Sequence, residues 1–532
     1  MEIFNKYRVV VLTAGQGLRL GNKTKNFNKC LLKVGNKAVI SYTIDSFPKE
    51  VEFVIALGYR GSLVKQYLEI VYPERKFIFV DVDKFKGPGS GPGYSLLSCQ
   101  SYLQCPFYFV SCDAIVFYWQ YLLRLRHGWS GYCEIDENRK DEYCTIKFDE
   151  DDEIIEYFNK TNNGTKWAFT GVAYIKEYKE FWNNLKKENI SIENELQVAP
   201  AILKIRSAPA VEIEWVDTGN EEGLQLAKLC YNNGIQNLDK EDEEIYFLDD
   251  YVIKYFCNES IVNERLIRTK YLNNIVPQII DSKKNFYKYE FINGKDLFGI
   301  NNLDEIFLLF LNTVKSHFWN FYDKIELNEI QKIIFKDACK HFYYDKTISR
   351  LNKLYEKVNI IDQQNVINGK NIPLIKDIFE LIDWEWLCSG FPSRFHGDLA
   401  LGNIIHTDKK EFKFIDWRQD FSGLIEYGDI YYDFAKLYAS LLWSRNSIKD
   451  DKFFIKEKNN KIDVNIEISE SFINCLKIFD NWLIENNFSL RKTKILSHIV
   501  LLNMSPLHEN PLDRHLFYYA KWLLYKELER GV

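Results

Sequence analysis

A chain of 532 residues is too long for one ordinary core and suits two or three domains; with 69 Lys and Arg against 75 Asp and Glu, it lacks the basic excess that neutralises a nucleic-acid backbone. No run of roughly 18 apolar residues and no basic-then-apolar leader occurs, so a soluble cytoplasmic protein without stable membrane insertion is expected. The 11 cysteines contain no Cys-x-x-Cys pair, and Cys339 with His341 is too small a group for a metal site, which leaves buried free thiols.

From Tyr7 to Leu12 a β-branched apolar run predicts a buried strand feeding a loop that contains Gly15 and Gly17. Glycine there lets backbone N–H groups approach a triphosphate, and Arg19 and Lys29 add positive charge where a leaving pyrophosphate gathers negative charge; a plain tight turn is the alternative. The apolar runs Val51 to Leu57, Phe77 to Val82 and Phe107 to Val110, with helical spacing over Ser62 to Val71, imply a mostly parallel, doubly wound sheet. Gly87 to Gly93 is the most glycine-dense stretch, either a loop lying against a base or a surface loop.

The polar stretch between Leu229 and Glu244 marks a boundary, giving domains 1–235 and 236–532. A hairpin is expected over Ile245 to Phe256, turning at Asp249-Asp250, then a helix from Ser260 to Leu272 that carries Glu264. Helical periodicity follows over Asp304 to Tyr322, Ile330 to Tyr355 and Glu467 to Asn486, and the part beyond Trp443 is expected to be helical packing and pocket material. Within this half, His396-Gly-Asp398 is followed by Asn403 and, in an apolar strand, by Asp416. That pattern supplies one carboxylate for an attacking hydroxyl, and an amide and a carboxylate for Mg²⁺, the parts that kinase-like phosphoryl transfer needs.

Two family resemblances follow. Ala14-Gly-Gln-Gly-Leu-Arg-Leu20, Lys29 to Lys37, Ser111-Cys-Asp113 and Trp215-Val-Asp217-Thr-Gly219 resemble the sugar-phosphate and phosphocholine nucleotidyltransferase family. The resemblance implies a Rossmann-like domain in which Asp113 and Asp217 hold Mg²⁺, the region of Gly93 frames the nucleobase and Lys160 meets a substrate phosphate. Turn or capping aspartates and a surface lysine are the alternatives. Leu18 departs from the family, which has Ser or Thr there, and one hydroxyl contact to phosphate is lost.

Ile245 to Leu442 resembles the aminoglycoside phosphotransferase and choline kinase family. It implies a kinase-like α+β domain with a large helical lobe, Lys254 on the ATP phosphates with Glu264 as its partner, Asp398 as catalytic base, and Asn403 and Asp416 as metal ligands. Lys254 as a surface lysine is the alternative. His396 is expected to brace the loop, and Asp429 and Asp433 to hold backbone. No glycine-rich flap precedes Lys254.

Together the resemblances imply a bifunctional enzyme. ATP phosphorylates a small choline-like alcohol, and CMP from CTP is then joined to that phosphate with loss of pyrophosphate, giving a CDP-activated head group for a surface glycan or lipid. The partners are the alcohol or sugar and the nucleoside triphosphates, with Mg²⁺ as cofactor and no nucleic acid; oligomeric state stays open. A sugar 1-kinase fused to a UTP- or GTP-dependent pyrophosphorylase is the second reading. An inactive, regulatory nucleotide-binding half is the third.

Overall fold

The computed structural model describes residues 7–530 except 189–190, 193–194, 206–207, 232–241, 273–274, 320–325 and 359. The chain divides into two compact units, Met1–Glu259 with Ile280–Phe291, and Ser260–Ile279 with Ile292–Val532. The expected boundary at 235/236 lies outside the described residues, and by compactness the first unit runs on through the hairpin that follows it.

In the first unit, strands β1 (Arg8–Leu12), β2 (Glu52–Leu57), β3 (Phe77–Asp81) and β4 (Phe107–Ser111) run parallel in the order β3-β2-β1-β4. Val9 and Val11 of β1 face one core, with Ile44 of helix α1 (Val39–Ser46) and Leu68 of α2 (Gly61–Val71). Val10 faces the other, with Leu96 of α3 (Pro92–Ser98) and Phe181 of α4 (Tyr178–Glu188). Cover on both faces is why this strand is continuously apolar instead of alternating. Further strands, joined mainly antiparallel, widen the sheet to nine. β1 pairs with both β2 and β4, so the strand order reverses there and a crevice opens beyond the carboxyl ends of β1 and β4. At that end the short strands β5 (Ala114–Val116) and β6 (Trp215–Asp217) pair antiparallel, with Asp217 opposite Ala114.

β7 (Glu243–Leu248) and β8 (Tyr251–Phe256) form the expected hairpin, and β9 (Phe286–Glu290) adds a third antiparallel strand. Tyr246, Tyr255 and Phe286 from these strands are buried in the same core as Tyr67 of α2. This shared apolar surface makes the small sheet part of the first unit.

The second unit is mainly helical. It contains α5 (Glu259–Thr269), α6 (Leu303–His317), α7 (Glu329–Lys340), α8 (Lys346–Val358), α9 (Ile430–Leu442), α10 (Glu470–Glu485), α11 (Leu490–Met504) and α12 (Leu512–Glu529). A capping box formed by Asn328 and Gln331 starts α7, and a π turn over His341–Asp345 joins α7 to α8. The stretch beyond Trp443 is not all helix: Phe453–Lys458 pairs with Lys461–Ile466 as a hairpin. Alternate burial along Lys461–Ile466, with Ile462, Val464 and Ile466 inward, is a period of two that a helix cannot satisfy. No helix among the described residues is long and apolar enough to cross a membrane.

The buried Tyr246 hydroxyl donates to the Leu31 carbonyl at 2.7 Å, and its ring packs on Tyr67 with centroids 4.9 Å apart. Tyr246→Phe strands that carbonyl and should lower the first unit's stability by about 1–3 kcal/mol, measured by urea unfolding of the full chain.

Candidate active sites

At the carboxyl end of β4, Asp113 receives a hydrogen bond from Lys29 Nζ at 2.6 Å and another from the Ser111 hydroxyl. Across the β5–β6 pair, Asp217 accepts from the Gly219 N–H at 2.8 Å, the Tyr143 hydroxyl at 3.1 Å and Asn220 Nδ2 at 3.2 Å, and Arg19 lies 3.9 Å away. Gly219 is where they meet. A Cβ added there would stand 2.5 Å from Asp113 Oδ2, 2.8 Å from Asp217 Oδ1 and 2.9 Å from Arg19 Nη2. The Thr218 N–H and hydroxyl both bond the Asp113 carbonyl at 2.9 Å, which locks the two aspartate segments together.

Burial favours the neutral form of Asp113, but the charge and hydrogen bond of Lys29, the Ser111 hydroxyl and Arg19 outweigh it and bring its pKa to about 2. Burial and the charge of Asp113 push Asp217 the other way. Burial acts against the Lys29 ammonium, yet Asp113 holds its pKa above the ordinary value. Two oxygen-donor carboxylates meeting at one point fit a hard divalent cation, which needs few protein ligands when phosphates and water supply the rest. Among the described residues no group of three or more His, Cys, Asp or Glu could hold a metal, so any ion here rests on this pair.

Of the other expected residues, Gly17 has φ +68°, and a Cβ there would press on Lys29 and Thr24, each at 3.1 Å, while Gly15 has open space. Gly93 lies buried inside α3, where a Cβ would meet Leu196 at 2.6 Å, so packing leaves room for glycine alone. Lys160 is exposed and its N–H bonds the Tyr143 carbonyl at 3.1 Å, beside the tyrosine that reaches Asp217. Sequence reading missed Asn28, whose buried amide donates to the carbonyls of Thr13 at 2.8 Å and Tyr59 at 2.7 Å, fastening the Lys29 segment to the glycine loop. Tyr143 and Asn220 were also missed. Nothing in local sequence marks Tyr143, whose partner is distant in the chain, whereas Asn220 lies three residues from Asp217 and was open to a local reading.

In the second unit, Asp433 of α9 accepts the N–H groups of His396 and Gly397, each at 2.7 Å, and Trp319 Nε1 at 3.2 Å. Burial lifts its pKa to about 6 despite these bonds. Asp429 caps α9 through the Tyr431 N–H and accepts the Phe391 N–H and the Tyr343 hydroxyl. His396 is fully buried; its Nδ1 accepts the Asp398 N–H at 3.2 Å and its Nε2 meets the Ile415 carbonyl at 2.9 Å. Burial drives its pKa to about 3, so the ring is a neutral brace for the loop.

Asp398, its side chain 40% exposed, pairs with Lys436 of α9 at 2.6 Å, and Asn403 Nδ2 donates to both its carbonyl and its carboxylate. Burial works against the charged carboxylate, but Lys436 overcomes it and holds Asp398 well below the usual range. The Ile415 N–H bonds the Asn403 carbonyl at 2.9 Å, so Asn403 and Asp416 lie beside each other; Asp416 has φ +61° and sits 3.8 Å from Arg265 of α5. The oxygens of Asn403 and Asp416 suit a hard cation as well. Arg268, also on α5, is buried, stacks on Phe395 at 4.3 Å and donates to the carbonyls of Phe395, His396 and Arg418. Neither Arg268 nor Lys436 was marked by the sequence motif. Lys254 is buried on β8 in the first unit; Glu264 is partly exposed on α5 in the second, its carboxyl raised by burial and by the charge of Asp420.

Residues 344–456 match the phosphotransferase enzyme family. Among solved structures, the chain is similar to a protein assigned as a glucose-1-phosphate thymidylyltransferase from Bacillus anthracis, with 19% identity and TM-score 0.37 over 44% of this chain and 98% of that one. A UDP-glucose pyrophosphorylase complexed with UDP-glucose shows 18% identity and TM-score 0.37 over 44% and 100%. A UDP-glucose pyrophosphorylase from Acinetobacter baumanii shows 14% identity and TM-score 0.34 over 42% and 93%. Among curated proteins, none matches the chain in sequence.

His396 and His498 are both held by burial at about 3 against an ordinary 6.5. Between these values the unfolded chain takes up protons that the folded chain refuses, so stability falls as pH falls. Asp433, at about 6 against 3.8, acts in the opposite direction, as do the raised carboxyls of Asp217, Asp429 and Glu264, while burial lowers His508 and His515 as well and so adds to the effect of the first two histidines. The urea midpoint should drop from about pH 7 to about pH 4.5, and His498→Leu should shrink that drop.

Proposed function

Because residues 344–456 carry a phosphotransferase-family domain, we propose that the chain is a bifunctional transferase: this domain phosphorylates a small hydroxylated compound with ATP, and the first domain joins the new phosphate to a nucleotidyl group, CMP from CTP, releasing pyrophosphate. In the first step Asp398 accepts the hydrogen bond, and then the proton, of the attacking hydroxyl. Lys436 and Asn403 fix its direction, and its low pKa makes it an orienting acceptor more than a strong base. In the second step no base is needed, since a phosphate monoester is largely dianionic with a second pKa of about 6. Arg19 and Lys29 stand where the charge of the departing pyrophosphate would develop, at the switch point of the sheet. Mg²⁺ held by Asn403 and Asp416 in one site, and by Asp113 and Asp217 in the other, would neutralise phosphate charge.

The observation that carries this reading is the convergence of Asp113, Asp217, Arg19 and Lys29 around Gly219 in a chain that also holds the Asp398 loop. A sugar 1-kinase joined to a UTP- or GTP-dependent pyrophosphorylase is the second reading, supported by the segments Phe169 to Tyr174 and Trp215 to Gly219. An assay of ATP with CTP, UTP or GTP and choline, glycerol or a hexosamine separates the two by the nucleotide that is consumed.

Asp398→Asn should cut phosphorylation by roughly 10²- to 10⁴-fold and leave pyrophosphate release from the phosphorylated acceptor intact. Asp113→Asn should do the converse, by at least about 10²-fold. A half that is an inactive binding module would show no such loss. Gly219→Ala puts a methyl among the two carboxylates and Arg19, and should lower pyrophosphate release by about 10²-fold with the fold retained, as followed by circular dichroism.

A further inference from the structure

Asp398 stands among cations: it pairs with Lys436 and shares its surroundings with Lys346, Arg350 and Arg418. The face of the π turn and α8 carries Phe342, Lys346 and Arg350 at intervals of four residues, which places them one above another. Lys346 Nζ sits 3.9 Å from the Phe342 ring centre and Arg418 Cζ sits 4.8 Å from it. The Phe342 ring packs in turn on Tyr432 of α9 at 4.6 Å, one helical turn before Lys436. Gly397, with φ +87°, leaves room for Arg418 to lie against the Asp398 loop; a Cβ there would meet Arg418 Cβ at 2.6 Å.

The charges do not balance. Lys436 is matched by Asp398 at 2.6 Å. Arg350 donates to a neutral carbonyl, that of Asn503, at 2.8 Å. The Arg418 Nε is buried without a hydrogen-bond partner, and Lys346 has aromatic contacts but no ion pair among the described residues. Burial, with Arg418, Arg350 and Lys436 outweighing Asp398, brings the Lys346 amine down to about 5, so near pH 7 it gives up its proton among these cations and would regain it beside a bound anion. A quaternary ammonium such as choline would meet repulsion here.

Resting on the kinase reading above, we propose that the alcohol phosphorylated beside Asp398 carries an anionic group of its own, a carboxylate or a phosphate, bound by Lys346, Arg350 and Arg418. Transfer then forms a bond between the alcohol oxygen and the γ-phosphorus and breaks the bond from that phosphorus to the β,γ-bridging oxygen. ADP departs with the bonding electrons, and the hydroxyl proton passes to Asp398 and on to solvent. The anchored anion is untouched, so the product is a phosphomonoester that also keeps its first negative charge.

The test uses the full chain with ATP and Mg²⁺ and a panel of acceptors: glyceric acid and a hexuronic acid as carboxylates, glycerol phosphate and a hexose phosphate as phosphates, glycerol and a hexose as neutral controls, and choline. Turnover and calorimetric binding are both measured. A member of one anionic arm should exceed its neutral counterpart by roughly 10- to 100-fold in kcat/KM, the worth of a charge-assisted contact, and the arm that responds tells carboxylate from phosphate. Lys346→Met should raise KM for that acceptor by a similar factor without moving KM for ATP, and Lys346→Arg should restore it. Preference for choline or a neutral alcohol overturns the proposal while leaving the kinase intact. So does a Lys346→Met effect on ATP alone, or failure of every anionic member to bind. Anion binding that Lys346→Met abolishes, without any phosphoryl transfer, upholds the anionic pocket and overturns the kinase reading instead.

Discussion

Asp433 is taken wholly out of water and held there by two backbone N–H groups of the loop it supports. A carboxylate removed from solvent costs several kcal/mol unless donors or a cation replace the lost water, and this requirement organises both sites. Asp113 answers it with Lys29 and Ser111, Asp217 with Gly219, Tyr143 and Asn220, and Asp398 with Lys436 and Asn403. Each solution ties a loop to a regular element, so the cost of sheltering a charge is also what fixes the geometry around it. The cations near Lys346 are the exception: among the described residues Lys346 has aromatic contacts but no ion pair, and the buried Arg418 Nε has no hydrogen-bond partner.

Sheet topology does the corresponding work in the first unit. With β1 paired to β2 on one side and β4 on the other, the loops that leave β1 and β4 emerge into one crevice. The β5–β6 pairing then carries Asp217 to Asp113 from far along the chain. Gly219 permits the approach because any side chain would occupy the point on which the carboxylates and Arg19 converge. Gly17, at positive φ and pressed against Lys29, serves the glycine loop in the same way.

Much of the fold was legible because it is local. The unbroken apolar run of β1 reported a strand covered on both faces, and the hairpin turning at Asp249-Asp250 followed from alternation and turn residues. The long helical stretch from Ile330 was read as one piece and proved to be two helices joined by a π turn, which places Phe342, Lys346 and Arg350 on one face. The hairpin after Trp443 was read as helix, since its polar outer positions blur the alternation of Ile462, Val464 and Ile466. Gly93, expected near a nucleobase, sits against Leu196, a contact that only packing could reveal.

By itself the sequence determined the residue types that chemistry demands at short spacing: the glycine loop with Arg19 and Lys29, and the run from His396 through Asp398 to Asn403 and Asp416. These are legible because each motif sets its residue types close together along the chain, so the spacing shows before any distant partner is known. Tertiary structure alone decided which partners close around them, Tyr143 and Asn28 in one site and Lys436, Arg268 and the Lys346 cluster in the other. Such partners come from elements distant in sequence, and burial of charge selects them only after the strands and helices have packed.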